Sequence, residues 1–140
     1  MNTSLLSKLL LIAATVLCPI VAHAKSEAAA IERGRYLVHQ VAMCIDCHSP
    51  RGEKGVFLEG KHLTGASFDF AATVPMPWAP FAPGLVGLEN FTTEQAVKFF
   101  MTGERPTGQP VLPPMPAYRM SEADARAVTA YLKSLAPAQG

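Results

Sequence analysis

An excess of charge of either sign is missing from this chain: 12 Lys and Arg stand against 11 Asp and Glu, a formal net charge of +1. Without a cationic patch it is a poor partner for nucleic acid or for an anionic membrane surface. A long apolar run is missing too. The longest, Leu9 to Val21, falls short of the ~20 residues that a membrane-spanning helix needs, which excludes a transporter. With 140 residues there is no room for a second hydrophobic core, which excludes a multidomain enzyme. No internal repeat is visible, and the chain has only three cysteines.

The apolar run has a different use. Lys8 precedes it and Ala22-His23-Ala24 follows, the small-x-small pattern that signal peptidase reads. Residues 1–24 therefore read as a secretory leader cleaved after Ala24, with residues 25–140 as one exported domain. Loss of Lys8 brings the formal charge to zero, which predicts weak salt dependence of any partner's association. Cys18 lies inside the leader, so cleavage removes the odd thiol. A lipid-modified Cys18 is the competing reading, but the bulky Leu17 stands where a lipobox has Gly or Ala.

The two cysteines that remain form Cys44-Ile45-Asp46-Cys47-His48, a C-x-x-C-H run. In an exported chain this is the attachment pattern of c-type haem. Two intervening residues at the end of a helix put the sulfurs about one turn apart, matching the two haem vinyl groups to which they form thioethers. The next residue, His48, can reach the iron, with its ring held through the other nitrogen. Two plainer chemistries compete. A thioredoxin-type disulfide needs a strand before the motif, and no strand pattern precedes Cys44. Zinc needs two further ligands, and only His39 and His62 remain, without metal-binding spacing.

Around the motif the pattern is helical. Glu27 to Met43 reads as a helix with Ile31, Gly34, Val38 and Val41 on one face. Gly34 costs about 1 kcal/mol in a helix interior, so it marks a place where another backbone or a ring comes close. The last helix is the candidate. It starts at the N-cap Ser121 with Asp124 three residues on, and carries Val128, Tyr131, Leu132 and Leu135 as an apolar stripe before Pro137. A third helix begins at the N-cap Thr92 with Gln95 in the capping-box position. It places Val97, Phe100 and Met101 on one face and stops at Gly103. From Ser49 to Phe91 the glycines and prolines leave no sustained period, which predicts loops and short turns. Prolines cluster at Pro75 to Pro83 and Pro106 to Pro116, making stiff loops.

Haem iron held by one histidine has a sixth position, whose occupant decides between electron transfer and ligand chemistry. Met115 is the leading candidate, in Pro113-Pro114-Met115-Pro116, where proline lowers the freedom of the unfolded loop. Met76, in Pro75-Met76-Pro77, shares the local chemistry, but Trp78 beside it suggests packing against the haem. Met120, a histidine or an open site complete the alternatives. Met43 and Met101 read as adaptable core fillers, His39 as a polar-face helix residue and His62 as a loop residue.

These residues resemble the class I c-type cytochromes. The likeness rests on Gly34-Arg35-Tyr36-Leu37 leading to Cys44-Ile45-Asp46-Cys47-His48, then on Pro114-Met115-Pro116-Ala117-Tyr118 leading to Ser121-Glu122-Ala123-Asp124 and Ala130-Tyr131-Leu132. The resemblance implies an all-α, loop-rich class I cytochrome c fold, roughly three to five helices around one covalently bound haem c. It implies thioethers at Cys44 and Cys47, iron ligation by His48 and Met115, and a helix crossing of Gly34 on Tyr131. The small monohaem members nearest in pattern accept electrons from bacterial periplasmic or membrane-bound dehydrogenases. The function implied is a periplasmic one-electron carrier between a dehydrogenase and a cytochrome or oxidase acceptor, with no substrate bond changed. Trp78, Phe81 and Phe91 could supply an apolar docking rim, or pack in the core. Two other readings stay open: a haem subunit of a larger oxidoreductase, and a haem enzyme or sensor with an open sixth site. One departure stands out. Many members have a proline some dozen residues after the haem histidine, whose carbonyl accepts the imidazole proton. Here none occurs between Pro50 and Pro75, so the sequence assigns no acceptor.

Overall fold

The first helix, α1, spans residues 25–36 in a computed structural model that describes residues 25–136, so residues 1–24, read above as a leader, and Cys18 with them lie outside the described residues. It continues as a π-helical turn over Leu37–Val41, closed by a 2.8 Å bond from the Ala42 N–H to the Leu37 carbonyl. A π turn holds one residue more than an α turn, so it rotates the side chains that follow. The apolar face departs from its sequence pattern for that reason: Leu37 and Val38 are buried, whereas Val41 is 54% exposed. The chain then passes through Met43 in the left-handed region, at φ 49°, into the short helix α2 (Cys44–His48). The motif therefore sits on its own helix rather than on the end of α1.

Helix α3 (Thr93–Thr102) is bounded as its sequence predicts. Thr92 Oγ accepts from the Gln95 N–H at 3.2 Å, Gln95 Oε1 accepts from the Thr92 N–H at 2.9 Å, and Gly103 at φ 71° ends the helix. Ala96, Val97 and Phe100 face the core, while Met101 lies at the rim of the expected face, 36% exposed. Helix α4 (Glu122–Ser134) starts where Ser121 Oγ accepts from the Asp124 N–H at 3.2 Å, and it buries Val128, Tyr131 and Leu132.

The helices share one core, and α1 meets α4 at Gly34. A Cβ on Gly34 would overlap the Ala127 carbonyl and stand 2.7 Å from Tyr131 Cβ, so only glycine allows this approach. At the edge of the crossing, Arg33 and Asp124 form an exposed ion pair at 2.9 Å. Between α2 and α3 the chain is loop, as expected, with two 3₁₀ turns at Glu53–Gly55 and Val86–Leu88. It also holds a feature without sequence signal: β1 (Ala66–Ser67) pairs antiparallel with β2 (Phe81–Ala82), Ala66 opposite Ala82. Two residues are too few to show a period, so the sequence pattern carries no trace of the pair. Among the described residues no helix is long and apolar enough to cross a membrane.

Candidate functional site

A cavity of about 720 Å³ opens between α2, the loop over residues 79–85, α3 and the strap over residues 103–120. Cys44, Cys47 and His48 line it from α2. Cys44 is buried and Cys47 exposed, and neither is in a disulfide. Burial pushes the Cys44 thiol up to about 11, so it is a neutral thiol inside the wall.

His48 is both buried and hydrogen-bonded. It is 5% exposed, and its Nδ1 lies 2.6 Å from the Pro83 carbonyl. A carbonyl only accepts, so Nδ1 carries the proton and Nε2 is left with its lone pair. Burial lowers the His48 pKa and the Pro83 carbonyl partly opposes this, which keeps the ring neutral and able to ligate. The backbone is pinned as well: the His48 carbonyl accepts from the Gly65 N–H at 2.8 Å, and Ser49 Oγ from the Leu63 N–H at 2.9 Å. Pro83, next to β2, is thus the acceptor that the sequence left unassigned. Nothing in the sequence marks it, because any carbonyl brought to that spot could serve and the β1–β2 pairing decides which one arrives.

Met115 lines the cavity from the strap, half-buried. Its N–H donates to the Leu112 carbonyl at 3.2 Å, and the Pro113 carbonyl accepts from the Ala79 N–H at 2.8 Å. The rival Met76 is 45% exposed, and neither it nor the half-buried Trp78 lines the cavity, whereas their neighbours Ala79 and Pro80 do. Met120 packs on the helical core. Met43 does line the cavity, contrary to its reading as core, but it is 55% exposed. Phe81 and Phe91 line the cavity, Phe81 at the surface with 56% exposure. His39 and His62 stand elsewhere: His39 Nε2 is 2.7 Å from Tyr131 Oη, half-buried rather than on an open polar face, and His62 packs against Phe57.

Tyr118 is a second residue whose part was not legible. Its hydroxyl donates to the Ala42 carbonyl at 2.7 Å, and burial raises its pKa to about 12. Its sequence context shows only that it follows the Pro-Met-Pro segment.

The donor set on this wall suits a c-type haem: two thiols one turn apart, a neutral imidazole with a free Nε2 and a thioether, around a mainly apolar space. The polar atoms agree. Arg105 lines the cavity with its guanidinium on the Pro110 carbonyl and Gln109 Oε1, both at 3.1 Å, and among the described residues on no carboxylate. A haem propionate is a carboxylate that such a guanidinium could take as a partner. The rival chemistries fit less well: among the described residues no strand precedes α2, and no group of three His, Cys, Asp or Glu side chains could hold a metal ion.

Comparison with known proteins agrees with the geometry. The family model described as Cytochrome c matches residues 31–136 of the chain. No curated protein matches it.

Proposed function

Because the chain belongs to the cytochrome c family, we propose that it is a periplasmic one-electron carrier with Cys44 and Cys47 as haem anchors and His48 and Met115 as axial ligands. The haem c of this family is covalent and, when bound, supplies a ferric/ferrous couple. The chain's residues hold and tune that couple. Cys44 in the wall and Cys47 at the surface fix the two thioether positions. His48 offers Nε2 while Pro83 holds its Nδ1 proton, which orients the ring and strengthens it as a donor. Met115 offers a thioether, which raises the potential relative to a second imidazole and suits transfer toward a respiratory acceptor.

The observation that carries this reading is that Met115, far along the chain from Cys44, Cys47 and His48, lines the same cavity as they do. Exposed Met43, Phe81 and Cys47 at the rim mark where redox partners would dock briefly, a dehydrogenase as donor and a cytochrome or oxidase as acceptor. Electron-transfer encounters use small interfaces, so a modest apolar rim is enough. Export follows from the leader reading of residues 1–24, with cleavage after Ala24.

The test is spectroscopic. Protein exported with its own leader in a haem-maturing host should keep its haem through acid-acetone extraction and show low-spin bands with the weak far-red sulfur-to-ferric-iron band. Met115→Ala should abolish the far-red band and lower the potential. A spectrum and potential unchanged in Met115→Ala would remove Met115 as ligand.

A further inference from the structure

The strap that carries Met115 is mostly bonded to itself. Arg105 and Gln109 pair across its tip, with the Arg105 N–H on the Gln109 carbonyl at 2.8 Å, and the Val111 N–H returns to the Gly103 carbonyl at 3.2 Å. Its external backbone ties reach the cavity's other walls: at its start the Gly103 N–H to the Phe99 carbonyl at 2.8 Å, then the Ala79 N–H to the Pro113 carbonyl at 2.8 Å and the Met120 N–H to the Phe100 carbonyl at 3.1 Å. None of these reaches the wall that carries His48. Tyr118 does: its Oη donates to the Ala42 carbonyl at 2.7 Å and also lies against the Cys44 thiol.

Ala42 is a place where such a bond has leverage. Its N–H closes the π turn at the end of α1, and the next residue, Met43, takes the left-handed conformation that starts α2. The bond therefore ties the segment just after Met115 to the backbone just before Cys44. Tyr118 also lines the cavity and is half-buried, so water competes weakly for the Ala42 carbonyl.

We infer that Tyr118 is a positioning residue for the sixth ligand: its hydroxyl latches the Met115 strap to the wall that carries Cys44 and His48, and so sets how readily Met115 yields its place to an outside ligand. The inference rests on Met115 being the sixth ligand. Opening the strap requires breaking this bond, whereas the ties to Ala79 and Phe100 can persist in an opened state. Removing the hydroxyl therefore favours displacement without removing any ligand.

The experiment uses the ferric holoprotein and imidazole as the displacing probe, followed by loss of the far-red band. Tyr118→Phe keeps the ring and deletes only the hydroxyl. Its apparent affinity for imidazole should rise about 5–10-fold, the worth of one net hydrogen bond. Thr92→Ala, which weakens the α3 cap away from the strap, serves as the comparison, because a loss of general stability alone would raise imidazole affinity in both variants. Equal affinities in Tyr118→Phe and wild type, or an equal rise in Thr92→Ala, would overturn the latch. A wild type lacking the far-red band would instead sink the Met115 assignment, and the latch with it, so the two failures are told apart before any variant is compared.

Discussion

Gly34→Ala puts a single methyl group into the α1–α4 crossing, and the sign of its effect tests the packing. At an exposed helical position the same change stabilises by about 1 kcal/mol, because alanine loses less backbone entropy than glycine. Here the new Cβ would overlap the Ala127 carbonyl oxygen and stand 2.6 Å from its carbonyl carbon and 2.7 Å from Tyr131 Cβ. These atoms belong to the helical framework of α4 rather than to a flexible side-chain tip, so relief requires α4 to move. That motion would loosen Val128 and Leu132, both 0% exposed. Overpacking of this kind costs about 1–3 kcal/mol, and a backbone obstacle places it in the upper part of that range. After the propensity gain, a net loss of about 1–2 kcal/mol is expected, roughly 5–10 °C in the melting midpoint. The assay is guanidinium denaturation of the ferric holoprotein followed by far-UV circular dichroism. Ala28→Gly, on the exposed surface of α1, calibrates propensity on the same helix and should cost about 1 kcal/mol. A Gly34→Ala protein as stable as wild type, or more stable, would show that the two helices do not meet as closely as described.

Thr92→Ala removes the acceptor of the Gln95 N–H and should cost about 1 kcal/mol, with Thr92→Ser restoring most of it in the same denaturation assay. A loss below a few tenths of that would mean that water caps α3 equally well. The pH dependence should show His39. Its pKa is lowered from 6.5 first by burial, then by His62 and Arg35, while Tyr131 Oη from α4 holds its Nε2. The folded protein then binds fewer protons than the unfolded chain, so the stability is present above pH 6.5 and is lost as pH falls through that value toward the folded pKa. His39→Gln keeps a partner for Tyr131 that does not titrate, and should flatten the fall just below pH 6.5. An unchanged slope in His39→Gln would place that proton uptake on another group.

The local features were legible because each depends on neighbours in the chain. Thr92 with Gln95, Ser121 with Asp124 and Gly103 as a stop set the ends of α3 and α4, since capping uses atoms within one turn. Gly34 announced a close approach through its cost in a helix. What failed were the places where one turn departs from α geometry. The π turn at Leu37–Val41 exposed Val41 and buried Leu37, and Met43 broke the helix before the motif.

The C-x-x-C-H run determined by itself which cofactor the chain takes, because two sulfurs and an imidazole at that spacing are a local arrangement. The proline-flanked Met115 nominated a second donor, but could not be separated from Met76 on local chemistry alone. Only the tertiary structure places them differently, with Met115 in the cavity wall and Met76 exposed outside it. It also chose Pro83 to hold His48 and Tyr118 to hold Ala42. Those two bonds join residues 35 and 76 positions apart, and only the packing of α1, α4 and the paired strands brings their atoms within reach.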